Sequence, residues 1–572
     1  MKKYLWLFLT ALCSYIFYFF SLPPSTPYTP PPLPVQEQLL LVPLDSRPPC
    51  TLIAQDLGRL ASIDVILPPK ELLDNYRTPA NRKKLSSWLS HNAGQCPAVI
   101  SGDLLIHGGL LASRLPQGTV NDEQNFFKLL QEMPSGEDIT VFSIIPRLLV
   151  SDNLLPNAWY QWHLMRYSTL RDIVEQFGDY PSTAQLEEIK NKIPQEILQK
   201  YNVLYSTNDS FNKQLAALCA AKNYTLVIGQ DDAQPFGLPN RNRTHAEAYM
   251  RRAGLSSAST TTCGADEIAQ MLTARRFCQI NNYQPKFYIE YTTGSAATAI
   301  MPYMAVTAEA ALLDKIKFTG GTLTQNLNEA DVILYVHCGS AEEPANEKMA
   351  QKLQTLLNSG KHVAVIDASE DYESSQMLLP VLLANNVTIN KLVSYSAWNT
   401  FGNAAGTAMA QSAIFTGQLK RLPKHLQPAL YAQNLNFTVA RLLDDYSYQK
   451  LLHHRLSTIL TLRGQDPANL NNGYKTFAEN IIEGFIYNEK RSLLYTNLGL
   501  TPFYSDGADE YYLTGINAET KLPWNRIFEI ELKTNCEYGI KKICTIIKAQ
   551  NLTVHKYREV LVYLLIYGVT NF

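Results

Sequence analysis

Thr225-Leu226-Val227-Ile228-Gly229-Gln230-Asp231-Asp232 decides the fold class. An unbroken apolar run ends on polar and acidic side chains, with no alternation between a wet and a dry face. A strand buried on both sides has that pattern, and such strands belong to parallel sheets. The same punctuation recurs along the chain. The run 38–43 leads into Leu44-Asp45-Ser46-Arg47, 98–100 into Ser101-Gly102-Asp103, and 140–145 into Pro146-Arg147. Further on, 287–291 leads into Thr292-Thr293-Gly294-Ser295, and 332–336 into His337-Cys338-Gly339. The run 363–366 leads into Asp367, and 392–395 into Ser396-Ala397-Trp398-Asn399. In α/β folds ligands bind outside the carboxyl ends of such strands, so the pattern predicts both a fold class and a set of site residues.

Between these runs lie helix-like stretches at 79–91, 123–133, 210–222, 265–276 and 343–359. Strand alternating with helix predicts an α/β body with mainly parallel strands. With Val65-Ile66-Leu67 added, the units suit a (β/α)8-type barrel or two doubly wound lobes broken near 241–262. Periodicity does not separate the two; the polar clusters that continue through every unit lean slightly toward the barrel. The expected organisation is a signal anchor or signal peptide at 1–22, a Pro-rich linker at 23–37 and an α/β body at 38–410. A helical appendage at 411–495 and a C-terminal α+β segment at 496–572 follow.

The chain has 572 residues, more than one ordinary core accommodates. A hydrophobic fraction of 46% with 18% charged residues is globular, and a net charge of -1 gives no electrostatic footprint for nucleic acid. Lys2 and Lys3 precede an apolar stretch over 4–20, with no small-x-small cleavage site after Phe20. This favours an uncleaved anchor, cytoplasm-in, over a cleaved signal peptide. The body is then expected to be extracytoplasmic, on the membrane or alternatively secreted, with the Pro-rich stretch holding it off the surface. Of nine cysteines, Cys536 with Cys544 and Cys263 with Cys278 are close enough in sequence to pair, although buried free thiols are the plainer expectation.

Asp231-Asp232 carries the sharpest chemistry. Neighbouring carboxylates raise one another's pKa and can divide into acid and base; the plain alternative is one cap and one ion pair with Arg241 or Arg243. Asp45 and Arg47 in one turn can hold a polyol or a carboxylate, or can pair with each other. Asp103 and Arg114 flank His107-Gly108-Gly109, which matches neither a Walker loop nor a dinucleotide fingerprint. Gly264-Ala265-Asp266-Glu267 opens a helix, where acidic residues favour the dipole or present a carboxylate pair. Trp398 beside Asn399 and Asn403 suits a sugar, the indole stacking on its apolar face and the amides binding hydroxyls. Pro523-Trp524-Asn525-Arg526 with Glu529 is a second aromatic and polar cluster. No HxH, HExxH or CxxC stands among the strand-end residues and no Gly-x-Ser-x-Gly elbow occurs, so no cofactor or metal is expected.

Pro43 to Pro48, Ser101 to Asp103 with Gly108-Gly109-Leu110 and Ser113-Arg114, Gln230 to Asp232, and Gly264 to Glu267 appear in fixed order. Ala397 to Thr400 with Gly402-Asn403, and Pro523-Trp524 through Phe528-Glu529, follow. Together they resemble an uncharacterised bacterial family catalogued as domain of unknown function 4127, over about 39–531, with His107 standing where an aromatic residue is expected. The resemblance implies no reaction. A looser similarity, by analogy of fold, is to glycosidases in which one Asp orients a substrate acetamido group and the next is acid/base. The expected function is an extracytoplasmic hydrolase of a glycan, with amino-sugar-containing wall material as one substrate. Asp231 and Asp232 are its catalytic pair, and Asp45, Arg47, Asp103, Arg114, Trp398, Asn399 and Asn403 bind substrate. The rivals are a non-catalytic protein closing two lobes on a sugar or cell-wall fragment, and a metal-dependent hydrolase.

Overall fold

The computed structural model describes residues 26–114, 119–149, 159–178 and 180–542. The strands are β1 (Thr26–Tyr28), β2 (Glu37–Val42), β3 (Ile63–Ile66), β4 (Ala98–Ser101), β5 (Ile139–Ile145), β6 (Thr225–Gln230) and β7 (Thr260–Cys263). They continue with β8 (Lys286–Tyr291), β9 (Thr322–Leu323), β10 (Val332–Gly339), β11 (Val363–Ser369), β12 (Ser394–Ser396), β13 (Tyr504–Ser505), β14 (Asp509–Lys521) and β15 (Glu531–Lys542). One parallel sheet runs β3-β2-β4-β5-β6-β7 and a second runs β12-β11-β10-β8-β9. The alternative between barrel and lobes therefore resolves to two open, doubly wound sheets. Numbered from its own first strand, each begins 2-1-3-4-5, so the strand order reverses between β2 and β4 in one and between β8 and β10 in the other.

The boundary between the sheets lies after β7, later than the break expected at 241–262. Thr260, Thr261 and Thr262 make a strand without an aliphatic run: β-branching suits the pleat, but hydroxyls hide it from a search for apolar stretches. The helix Ile268–Ile280 then leads to β8.

Continuous apolar runs fill both faces of each sheet. Alternate side chains of a strand point to opposite faces, and here each face has its own core. Leu39 and Leu41 of β2 pack in one cluster and Leu40 and Val42 in another. Leu334 and Val336 of β10 join the first of these, whereas Ile333 and Tyr335 belong to a third with the C-terminal elements. The inner faces of the two sheets thus share one core, filled by the helices Leu52–Ala61, Ile268–Ile280, Ala308–Phe318 and Phe401–Arg421. Each fully buried Leu or Ile contributes about 1.5–3 kcal/mol, so pulling the sheets apart would be costly. Phe401–Arg421 is buried along almost its whole length, and it crosses the expected boundary at 410. Small residues allow this: a Cβ on Gly406 would overlap the Glu267 side chain.

After it, Gln427–Arg441, a wide-turn helix Leu442–Leu452, His453–Leu462 and Asn472–Leu493 cover the outer face of the second sheet. The antiparallel sheet β1-β15-β14-β13 closes the body. The α+β segment expected at 496–572 supplies the strands β13, β14 and β15, and β14 has a mixed polarity that hides it from a search for apolar runs. The Pro-rich stretch is not a free spacer from Thr26 onward: β1 pairs with β15, and Leu33 is buried. The expected anchor at 1–22, the apolar stretch 560–567 and Cys544 lie outside the described residues. Among the described residues no helix is long and apolar enough to cross a membrane, and Cys263 and Cys278 are both free thiols.

Candidate functional site

The carboxyl edge of the first sheet opens into a pocket of about 400 Å³. It lies where the rule for open α/β sheets puts a ligand, at the reversal of strand order. Loops after six strands supply charge to it: Arg47 follows β2, Arg77 β3, Arg114 β4, Arg147 β5, Asp231 and Asp232 β6, and Asp266 β7. Arg526 and Phe528 enter from the C-terminal segment, and Asn399, Thr400 and Asn403 from the end of β12.

Arg47 is fixed by two carboxylates. Its Nε donates to Asp45 Oδ2 at 2.9 Å, and its Nη1 and Nη2 donate to Asp266 at 3.2 and 2.6 Å. Asp45 also accepts the Arg47 backbone N–H at 3.0 Å, closing the turn before Pro48. Asp45 thus stands behind the pocket as the brace of Arg47. Burial pushes the Asp266 carboxyl up to about 6, against the pull of Arg47 and with help from Asp45 and Asp231.

Arg114 reaches Asp231 with Nε at 3.1 Å and Nη2 at 2.5 Å, both on Oδ2. Asp231 Oδ1 accepts the Asp232 N–H at 2.9 Å. Burial opposes the charge of Asp231, but the guanidiniums of Arg114 and Arg147 outweigh it and hold the carboxyl below the usual range. Asp232 moves the other way, pushed up to about 7 by burial and by the Asp231 carboxylate. Its Oδ2 is 4.0 Å from Arg147 Nη1. Adjacent aspartates are thereby divided into an ionised group and one that carries a proton near neutrality, the division that acid and base roles require.

Asp103 does not line the pocket. Its Oδ2 accepts the Ile144 N–H at 2.9 Å, bracing β5, and burial lifts its carboxyl to about 7. Trp398 is also behind the wall: it is buried, edge-on to Phe528 at 6.4 Å. Asn399 and Asn403 do line the pocket, Asn399 in the left-handed region at φ 54°. Asn403 Oδ1 takes the Asn399 amide at 3.1 Å and the Thr400 hydroxyl at 2.7 Å, while its Nδ2 donates to Glu267 at 2.7 Å. Glu267 turns away from the pocket into a fully buried pair with Lys315 at 2.6 Å. The acidic pair of Gly264 to Glu267 is thus divided, one residue to the pocket and one to the joint between the sheets.

Sequence reasoning passed over Tyr76 and Arg77, and it weighed Asp266 with Glu267 as a presented carboxylate pair of which only Asp266 lines the pocket. The only signal for Arg77 was its position in the loop after a weak strand. The C-terminal cluster belongs to this site: Trp524 Nε1 donates to Ser46 Oγ at 3.0 Å, and Arg526 stacks 4.7 Å from the Trp524 ring centre while donating to Glu529. His107 is half-buried, and desolvation and Arg82 hold it low, near 4. His337 sits between Thr292 and the Gln376 carbonyl, each at 2.8 Å. Among the described residues, no three His, Cys, Asp or Glu side chains are grouped to hold a metal ion.

Fold and pocket define an α/β protein of two doubly wound parallel sheets with a charged cavity at the carboxyl edge of the first. The family model described as a protein of unknown function, DUF4127, matches residues 39–533, and the chain belongs to that family. No curated protein and no solved structure is detectably similar to it.

Proposed function

We propose that this protein is an extracytoplasmic, membrane-anchored hydrolase of a glycan, in which Asp232 is the proton donor and Asp231 keeps it protonated. The observation that carries this is the division of the adjacent carboxyls, one ionised by Arg114 and the other lifted to about 7, inside one pocket. A carboxyl that holds its proton near neutrality can protonate a glycosidic oxygen as the bond breaks. Asp266, also raised and on the same wall, is the second carboxyl of the reaction, with Arg47 fixing its orientation. Asn399 and Asn403 supply amides for hydroxyls, and Phe528 an apolar surface for a ring face.

Two lobes closing on a sugar are less well supported. The sheets share one core through Phe401–Arg421, which leaves no pair of independent halves to move. The test is release of reducing ends from a panel of wall-derived and storage glycans by the full chain in detergent. Cleavage of a panel member that fails with Asp232→Asn, in a protein of unchanged unfolding midpoint, is the expected result. Equal turnover by Asp232→Asn would remove Asp232 from the chemistry.

A further inference from the structure

The site proposed above has an uneven charge distribution. Its guanidiniums enter from the loops after β2 to β5 and, with Arg526, from the C-terminal segment, and its carboxylates from the loops after β6 and β7. Most of this charge is matched internally: Arg47 with Asp45 and Asp266, Arg114 with Asp231, and Arg526 with Glu529. Arg77 lines the pocket as an exposed side chain and has no carboxylate within ion-pair distance among the described residues. Arg147 stands 4.0 Å from Asp232, the carboxyl that the proposed chemistry needs protonated. Gln230 adds a neutral donor. Its Oε1 accepts from Arg243 Nη1 at 3.4 Å, which sets the amide's orientation, and its buried Nε2 has no acceptor among the described residues. A buried amide N–H without a partner is destabilising, and a ligand oxygen would relieve it.

We propose, resting on the glycan reading, that the substrate is an anionic sugar, its oxyanion held by Arg77, Arg147 and Gln230 and its scissile bond turned toward Asp232 and Asp266. Guanidiniums suit this role because their planar fork matches the oxygens of a carboxylate or a phosphate. A neutral oligosaccharide would leave Arg77 solvated and the Gln230 amide without a charged partner, so the pocket discriminates by charge as well as by shape. Carboxylate and phosphate share this recognition chemistry, and direct binding separates them.

The experiment is calorimetric titration of the full chain in detergent with trigalacturonic acid, its methyl ester, glucosamine 6-phosphate and triacetylchitotriose, repeated with Asp232→Asn and Arg77→Ala. Expected is binding of the carboxylate or the phosphate probe at least about tenfold tighter than of the uncharged probes, weakening with added salt. Asp232→Asn should keep this preference, and Arg77→Ala should lose about tenfold of it. The probe that binds identifies the oxyanion. Equal binding of charged and neutral probes, or binding of neither charged probe, overturns the inference. Its failure is distinguishable from that of the hydrolase reading. Cleavage of a neutral glycan without charge preference removes only the anionic substrate, whereas tight binding of a charged sugar that is never cleaved removes only the hydrolysis.

Discussion

At the carboxyl end of β6, Asp231 and Asp232 border a pocket of about 400 Å³; at the carboxyl end of β11, Ala368 and Ser369 border a void of about 10 Å³. The two sheets share a strand order, and the rule that puts ligands at its reversal applies equally to both. They differ in what covers them. Over the second sheet the wide-turn helix Leu442–Leu452 comes down on the strand ends: Asp445 accepts the Ser396 hydroxyl at 3.0 Å and the Ala397 N–H at 2.9 Å, and Arg441 holds it at 2.7 Å. Asp367 accepts the N–H groups of Leu378 and Leu379 and the Tyr395 hydroxyl. Room for about one water remains. The acidic residues of both edges are alike in type; Asp367 and Asp445 at the second sheet make hydrogen bonds that build the fold, whereas Asp231, Asp232 and Asp266 at the first border open space.

This contrast breaks if substitutions at the two edges act alike. The largest effect is expected from Asp232→Asn, which should lower turnover of a cleaved glycan by about 10²–10⁴ with little change in stability. Asp367→Asn at the other edge should leave turnover within a factor of a few in the folded protein. Parallel kinetics and urea unfolding on both variants decide this. Next, Asp367→Ala strips three buried donors of their acceptor and should cost about 3 kcal/mol, read as a lowered urea midpoint.

The pH dependence follows the same division. Asp232 must carry its proton and Asp266, the second carboxyl, must be ionised, so turnover should fall as pH rises through about 7 and fall again as pH drops through about 6. Stability should also fall as pH rises. Asp103, Asp232 and Asp444, at about 7, and Asp266, at about 6, have folded values above the ordinary carboxylate range. Between about pH 4 and 7 the folded protein keeps protons that the unfolded chain has released, so stability falls across that window. The urea midpoint should be higher at pH 5 than at pH 8. The smallest effect is expected from Ser46→Ala, which removes the acceptor of the Trp524 indole N–H and leaves the ring in place, about 1 kcal/mol; it sharpens the comparison by loosening the C-terminal cover of the open edge alone.

Much of this fold was legible because both faces of its strands are buried. Thr225 to Ile228 and Val363 to Ile366 read as continuous apolar runs for that reason. β7 was missed because its threonines satisfy the pleat without aliphatic side chains, and the break between the sheets shifted with it. Asp231, Asp232, Arg47, Arg114, Asn399 and Asn403 line the pocket, whereas Asp45, Asp103 and Trp398 stand behind it. A residue at a strand end lies at the correct height; nothing in local sequence tells whether its side chain faces the opening or turns to brace a neighbouring loop.

By itself the sequence determined the parallel α/β class and the collection of charge at strand ends, since periodicity and punctuation are local properties of the chain. Only tertiary structure decided which ends stay open and which carboxyls keep a proton. Those outcomes depend on contacts such as Arg114 with Asp231, 117 positions apart, and Arg47 with Asp266, 219 apart. They also depend on burial, which sets the cost of each charge and exists only once distant segments have packed together.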